Sequence, residues 1–162
     1  MGFKDMGERK LLCVADDSPE CRDAVYFGAL RAARTNAKLI ILRVIEPMDP
    51  GLWAAMGEAM RERLRMDALA DLQLLSDVAW GASAVTPILI VKEGSVEGEI
   101  RALIDATPSV KTLLLAASHG RGGPGPLVSA ALRGGLDFGT RAVAIMIVPA
   151  GLSDEALDDL AS

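Results

Sequence analysis

The sequence has few of the side chains that most hydrolases and metalloproteins use. Its 162 residues include one histidine and two cysteines. No second histidine and no G-x-S-x-G motif accompany His119, so a role in bracing its loop is favoured over that of a catalytic base. Cys13 and Cys21 form no C-x-x-C pair, so we expect buried, reduced thiols rather than a metal or redox site. The sequence predicts neither a catalytic residue nor a metal ligand.

Long apolar segments and clusters of basic residues are also missing. The longest mostly apolar stretches, residues 38–44 and 85–91, are shorter than the roughly 20 residues of a membrane-spanning helix. Against 17 basic residues there are 22 acidic ones, and no Lys/Arg run offsets the net charge of -5, which argues against nucleic acid or an anionic membrane as a partner. The first ten residues contain no apolar signal core, and Met6 stands where a myristoylation motif needs Ser or Thr. We therefore expect a cytoplasmic protein.

The composition favours one domain with a large core. Hydrophobic residues make up 51% of the chain, and a domain of this length buries roughly 70% of its unfolded surface. We expect an α/β domain over residues 1–150, followed by an acidic tail over residues 151–162. In the tail, Ser153 predicts the start of a short helix, with a frayed end as the alternative.

Strand-like and helix-like segments alternate along the chain. Short apolar runs predict strands over residues 11–15, 39–45, 85–91, 112–117 and 143–148. Helical spacing predicts helices over about residues 21–35, 52–80 and 127–140, and one that carries Val96, Ile100, Leu103 and Ile104. The first helix would bury Cys21, Ala24, Val25, Gly28 and Ala32, and the second Met60, Leu64, Ala68, Leu72, Leu75 and Ala79. Strict alternation with continuously apolar strands is typical of a doubly wound, five-stranded parallel sheet that helices cover on both faces.

Two loops follow strands of this sheet at the edge where ligands bind in such folds. The first is Asp16-Asp17-Ser18, after strand one, and the second is the glycine-rich segment SHGRGG over residues 118–123, after strand four. Successive backbone N–H groups in a glycine-rich turn can converge on a phosphate, and Arg121 would add a guanidinium. By composition alone, an ordinary Gly-Pro connection is the favoured interpretation of the second loop, and its phosphate signal is weak.

Five segments of the sequence together match the motifs of one known family. They are LCVADDSPE (12–20), LRVIEP (42–47), the Glu93-Gly94 turn, ASHGRGG (117–123) and IMIVP (145–149). In order and spacing over residues 9–150, they resemble the universal stress protein family. The resemblance implies the adenine nucleotide alpha hydrolase-like fold with strand order 3-2-1-4-5. It also implies a homodimer and, in one branch of the family, ATP bound between the first and fourth strands.

The ATP-binding branch carries G-x-x-G, nine further residues, and then glycine followed by Ser or Thr. The corresponding residues here are Ala117, Gly120, Ala130 and Ala131, of which only Gly120 matches. A Cβ at a position that needs glycine costs about 1 kcal/mol or more, and Ala131 also lacks the hydroxyl that would bind phosphate. The same spacing recurs at Gly122, Gly125 and Gly135, but it ends in Leu136 and leaves too little chain for a helix before strand five. We therefore expect weak or no ATP binding.

The resemblance also assigns candidate ligand contacts outside the motif. Asp16 matches an acidic residue that faces the base and ribose in nucleotide-binding members, and Val44 matches a residue whose backbone reads adenine there. The alternatives are a turn or helix-cap carboxylate for Asp16 and a core side chain for Val44. The full set of predicted contacts is Val14, Asp16, Val44, Ala116, Ala117, Gly120, Arg121, Gly122, Gly123, Ala130 and Ala131.

Three functional hypotheses follow from the sequence. The first is a stress-response regulatory module that forms a homodimer through its last strand, because the segment from Ala142 to Val148 has no charge and no internal proline to prevent edge pairing. The second is an ATP-binding protein that uses Asp16, Gly120 and Arg121, with at most slow hydrolysis, because no positioned base or P-loop lysine is present. The third, a phosphoacceptor receiver domain, lacks an Asp after strand three and a Lys after strand five.

Overall fold

The computed structural model describes residues 8–47, 49–118, 123–132 and 142–162. Five strands run along the chain: β1 (Lys10–Ala15), β2 (Lys38–Ile45), β3 (Ile88–Glu93), β4 (Val110–Ala116) and β5 (Ala144–Val148). The helices in the described ranges are α1 (Cys21–Thr35), α2 (Pro50–Ala55), α3 (Glu58–Ser83), α4 (Val96–Ala106), α5 (Pro126–Leu132) and α6 (Asp154–Ala161). None of these helices is long and apolar enough to cross a lipid bilayer.

The strands form one sheet in which every pair is parallel, in the order β3-β2-β1-β4-β5. The predicted fold and strand order are therefore confirmed. β1 lies in the middle, and its residues from Leu11 to Ala15 are all buried because helices cover both faces of the sheet there. Alternate side chains of β1 enter separate core layers, as the period of two in a strand requires. Cys13 packs in one layer with residues of α1, α3 and α6, whereas Leu12 packs in the other with residues of α4 and α5.

The predicted face of α1 is buried in full. Cys21, Ala24, Val25, Gly28 and Ala32 all lie in the core. The helix ends where Asn36 adopts a left-handed conformation, with φ 53°, and donates its N–H to the carbonyl groups of Ala32 and Ala33. An asparagine at this position is a common helix stop.

The single helix predicted over residues 52–80 is wrong, because the chain forms two helices there. Asp49 caps α2 by accepting hydrogen bonds from the N–H groups of Gly51 (2.8 Å) and Leu52 (3.3 Å), and Pro50 provides the first residue of the helix. The corner between α2 and α3 is held by Arg61, which donates to the Trp53 carbonyl (2.7 Å) and lies 5.5 Å from the centre of its ring.

The predicted burial of Met60 is also wrong. Met60 is exposed, and the fully buried residues of α3 begin only at Ala68 and continue with Leu72 and Ala79. The first two turns of the helix therefore lie outside the core.

Strand β3 begins three residues later than predicted, and it is less buried. Ala84 ends α3 in a left-handed conformation, and Pro87 has no N–H group with which to join the sheet, so pairing with β2 starts at Ile88. Because β3 is an edge strand, its residues are half-buried or exposed rather than buried on both faces. The other strand boundaries differ from the prediction by one or two residues, and β5 begins at Ala144 rather than at residue 143.

The C-terminal tail forms the capped helix rather than a frayed end. The Ser153 hydroxyl accepts a hydrogen bond from the Ala156 N–H (3.1 Å), which starts α6, and Leu157 and Ala161 are buried against the core. Arg22 of α1 donates two hydrogen bonds to the carboxylate of Asp154, at 2.5 and 3.0 Å. The tail thus adds a helix to the layer that contains α1. The part of the helix predicted over residues 127–140 that lies beyond Leu132, including Gly134 and Gly135, lies outside the described residues.

Candidate functional site

A cleft of about 790 Å³ opens at the carboxyl ends of β1, β2 and β4. These strands place Asp16, Val44 and Ala116 around it, while α3, the start of α4 and the start of α5 complete its walls. The chain leaves β1 toward β2 on one side and reaches β4 on the other, so the cleft lies where the strand order reverses. This is the position that the sequence predicted for a ligand.

The structure brings part of the predicted set together. Val14, Asp16, Val44 and Ala116 line the cleft, whereas Ala117, Gly123, Ala130 and Ala131 do not. The N–H of Ala117 instead donates to the carbonyl of Val148 (3.0 Å), and Ala131 packs against the core layer of α4 and α5. His119, Gly120, Arg121 and Gly122 lie outside the described residues.

Asp16 holds a turn at the rim of the cleft. Its carboxylate accepts a hydrogen bond from the N–H of Ser18 (2.8 Å), which fixes the chain between β1 and α1. Helix α1 is not capped by this carboxylate, because its N-cap is Glu20, whose side chain makes no capping hydrogen bond. Asp16 therefore has the turn role that was the alternative to a ligand contact, while it also lines the cleft.

The floor of the cleft is apolar. The side chains of Val14 and Val44 are both buried in the core layer of α4 and α5. Val44 is therefore a core residue, and what it can offer a ligand is its backbone at the end of β2.

The wall after β4 depends on a glycine that the predicted site did not include. The Ser118 N–H donates to the Pro124 carbonyl (2.8 Å), which closes the loop, and Gly125 follows with φ +103°. A Cβ at Gly125 would lie 3.2 Å from the hydroxyl oxygen of Ser118. Glycine is thus needed at this position both for its backbone conformation and for space.

The opposite wall, at the start of α4, has its own hydrogen-bond acceptors. Ser95 caps the helix by accepting from the Gly98 N–H (3.1 Å), and the carboxylate of Glu46 accepts from the Val96 N–H (3.3 Å). Two of the free N–H groups that begin a helix are therefore already bonded within the chain.

Comparisons with known proteins agree with this geometry. The sequence model of the Universal stress protein family matches residues 8–131. The chain belongs to the universal stress protein family. Comparison with curated protein sequences finds no match.

Solved structures of universal stress proteins have the same fold. Universal stress protein UspA from Lactobacillus plantarum is 15% identical, with a TM-score of 0.68 over 86% of this chain and 97% of that one. A universal stress protein in complex with cAMP is 20% identical, with a TM-score of 0.59 over 86% and 95%. A member of the family from Burkholderia pseudomallei is 17% identical, with a TM-score of 0.52 over 87% and 96%.

In this universal stress protein the described part of the cleft is strongly acidic, a property that was not predicted from the sequence. The carboxylates that line it are Asp16, Asp17, Glu46, Asp67, Asp71 and Glu97, and the one guanidinium is that of Arg43, which is ion-paired with Asp17. Asp67 and Asp71 are one helical turn apart and directly precede the buried residues Ala68 and Leu72. That spacing was a usable signal, because it places both carboxylates beside the buried face of α3. Within the described ranges, no three acidic, histidine or cysteine side chains are grouped as metal ligands would be.

The two cysteines are free and buried, as predicted. Burial raises the pKa of Cys21 to about 11 and raises the pKa of Cys13 well above its usual value. Both thiols therefore stay protonated near neutral pH, and they act as small apolar core residues rather than as nucleophiles.

Proposed function

We propose that this universal stress protein is a cytoplasmic, homodimeric regulatory module that binds ATP weakly or not at all. The acidic lining of the cleft carries the proposal. A triphosphate bound there would lie among six carboxylates, and the single arginine of the described lining is already paired. Two like charges about 4 Å apart repel by about 1 kcal/mol in bulk water and by about 4 kcal/mol near a protein surface.

The backbone of the cleft supports the same proposal. Phosphates in α/β folds commonly bind the free N–H groups at a helix start. At the start of α4 two of these groups, the N–H of Gly98 and the N–H of Val96, are bonded to Ser95 and Glu46. Ala117, Ala130 and Ala131 stand at three of the four positions of the family's ATP motif. The charge, the two occupied N–H groups of α4 and the altered motif all disfavour a polyphosphate.

Calorimetric titration with ATP and magnesium tests the proposal. We expect little or no heat of binding for the native protein. The double substitution Asp67→Asn and Asp71→Asn removes two carboxylates from the cleft wall and should strengthen ATP binding by about tenfold, or about 1.4 kcal/mol. Asp77→Asn on the same helix is the matched control, because Asp77 does not line the cleft. Tight ATP binding by the native protein would refute the proposal.

A second set of substitutions separates the charge from the motif. The triple substitution Ala117→Gly, Ala130→Gly and Ala131→Ser restores the family pattern, and we expect it to create or strengthen ATP binding. If a folded triple variant binds ATP no better than the native protein, these alanines are not what weakens binding. The carboxylate variants would then carry the explanation alone.

An adenine nucleotide with one phosphate is the second candidate ligand. One universal stress protein of the same fold was solved in complex with cAMP. The cleft volume of about 790 Å³ lies within the usual range for small-molecule sites, and its floor is apolar. A cyclic monophosphate carries less negative charge than ATP, so the carboxylates oppose it less. Stronger heats of binding with cAMP than with ATP in the same calorimeter would favour this ligand.

The homodimer would form through β5. Among the described residues this strand is the edge of the sheet next to β4, and Ala144 and Ile145 are exposed on it. Its sequence, AIMIV, contains no charge and no proline, which are the residues that usually keep edge strands from pairing. A second copy that adds its own β5 would satisfy the free backbone groups of both edges.

A further inference from the structure

The outer face of α3 carries large apolar side chains among charged ones. Met60, Met66, Leu69, Leu74 and Trp80 are all exposed on this one helix, and Leu74 and Trp80 have 67% and 61% of their surface in contact with solvent. The helix has 26 residues, so the face extends over about 39 Å. Large apolar side chains grouped on the surface of one helix often mark a site of protein interaction.

This face is separate from the one that packs on the sheet. The buried residues Ala68, Leu72 and Ala79 lie on the opposite side of the helix. On the outer side, Met66, Ala70, Leu74 and Asp77 follow one another at intervals of four, four and three residues. This is the spacing by which one helix packs along another.

The charges of α3 are separated along its length. Residues 58–66 contain three arginines and two glutamates, whereas residues 67–83 contain three aspartates and no basic residue. A parallel neighbour with this sequence would place acidic segment beside acidic segment. An antiparallel copy would place the arginine-containing half of each helix beside the aspartate-containing half of the other.

An antiparallel register centred on Ala70 matches both the charges and the apolar residues. Arg63 and Asp77 lie seven residues on either side of Ala70, so each would face the other in the second copy. Both are exposed, and neither belongs to an ion pair in the described part of the chain. In the same register Met66 faces Leu74. At the centre, the small side chain of Ala70 permits the interaxial distance of about 8–10 Å of packed helices.

We propose that a second copy of this chain docks on the outer face of α3, with the two α3 helices antiparallel around a two-fold axis at Ala70. Such an interface is isologous, since each copy contributes the same residues to it. It is separate from the β5 edge and does not depend on nucleotide binding. The apolar residues provide the buried surface, and the two symmetry-related pairs of Arg63 and Asp77 set the direction of the helices.

Cysteine cross-linking tests this arrangement. In Ala70→Cys the new thiol would lie next to its counterpart across the axis, so we expect mild oxidation to produce a covalent dimer on a non-reducing gel. The native protein is the first control, because Cys13 and Cys21 are buried and should not cross-link. Ala59→Cys, on the same face eleven residues away, should not cross-link to itself. When the Ala59→Cys and Gly81→Cys variants are mixed, they should form a covalent heterodimer, because residues 59 and 81 face each other in this register. The Gly81→Cys variant should fold normally, because a Cβ at Gly81 meets no atom within 4 Å.

Charge exchange provides a second measurement on the same interface. Arg63→Asp or Asp77→Arg alone should weaken self-association roughly threefold to tenfold, and the two together should restore it. Failure of Ala70→Cys to cross-link would overturn the proposal, as would self-cross-linking of Ala59→Cys, which indicates parallel helices. A β5 dimer that persists without an Ala70→Cys cross-link would overturn this interface and leave the proposed function intact.

Discussion

At the scale of single residues, Gly28 shows how closely α1 packs on the sheet. A Cβ at this position would lie 3.1 Å from the side chain of Leu114 and 3.2 Å from that of Leu39. We predict that Gly28→Val lowers the free energy of unfolding by about 1–3 kcal/mol, because two further methyl groups must displace side chains of two strands. Urea denaturation followed by circular dichroism measures the change.

Gly81 is the matched control, since it is also a glycine inside a helix. A Cβ there meets nothing within 4 Å, and the residue is exposed. Gly81→Ala should therefore raise the free energy of unfolding by about 0.5–1 kcal/mol through helix propensity alone. Equal effects of Gly28→Val and Gly81→Ala would contradict the close packing of α1.

A single site residue could be predicted only where it directly follows a strand that the sequence already predicts. Asp16 follows a buried strand directly, so its place at the cleft was predictable from β1 alone. Asp67 and Asp71 reach the cleft from α3, which is distant in sequence, and their contribution depends on how that helix lies across the strand ends. Ser118 begins the glycine-rich segment SHGRGG, which was predicted to lie at the cleft. The part that Gly125 plays required the hydrogen bond between Ser118 and Pro124 to be known.

At the scale of elements, hydrophobic periodicity predicted those that cross the core and failed at those near its edge. The buried face of α1 and the central strands follow from sequence, because both are covered by their neighbours throughout. Periodicity does not reveal a corner between two helices, although Asp49 followed by Pro50 was a readable start signal for α2. β3 was placed too early since Val85 is apolar but precedes Pro87, after which sheet pairing begins.

Helix α6 is attached to α1 by a pH-dependent contact. The hydrogen bonds from Arg22 hold the pKa of Asp154 below its ordinary value. A carboxyl group whose pKa is lower in the folded state stabilises that state above its unfolded pKa, and the contribution is lost as the pH falls through the folded-state pKa. We therefore predict that α6 opens more readily below about pH 4 than at pH 7. Hydrogen exchange of the α6 amides, compared with Asp154→Asn at each pH, measures this opening.

The comparison has an internal control on the same helix. In Asp154→Asn the exchange of α6 should already be faster at pH 7 and should differ little from the native protein at low pH. Asp159→Asn should behave like the native protein, because Asp159 forms no ion pair within the described ranges. If native α6 and the Asp154→Asn variant differ equally at both pH values, the hydrogen bonds to Arg22 do not cause the pH dependence.

At the scale of the whole molecule, the two proposed interfaces lie at opposite ends of the sheet. Helix α3 packs on β2 and β3, whereas β5 forms the other edge. One copy can therefore use both surfaces at once. Two isologous interfaces on one chain give a closed tetramer when their two-fold axes intersect at a right angle, and a larger closed ring or an extended chain in other arrangements. The native protein should accordingly form assemblies larger than a dimer at high concentration.

Substitutions at the two surfaces should separate these contacts. Ile145→Lys places a charge on the β5 edge, and Met66→Glu places one on the outer face of α3. Both residues are exposed, so the fold should persist. We predict that each single variant sediments as a dimer and that the double variant sediments as a monomer, with circular dichroism as the check on folding. If Met66→Glu alone gives monomers, the remaining β5 edge does not pair two copies. If Ile145→Lys alone gives monomers, the remaining α3 face does not hold two copies together.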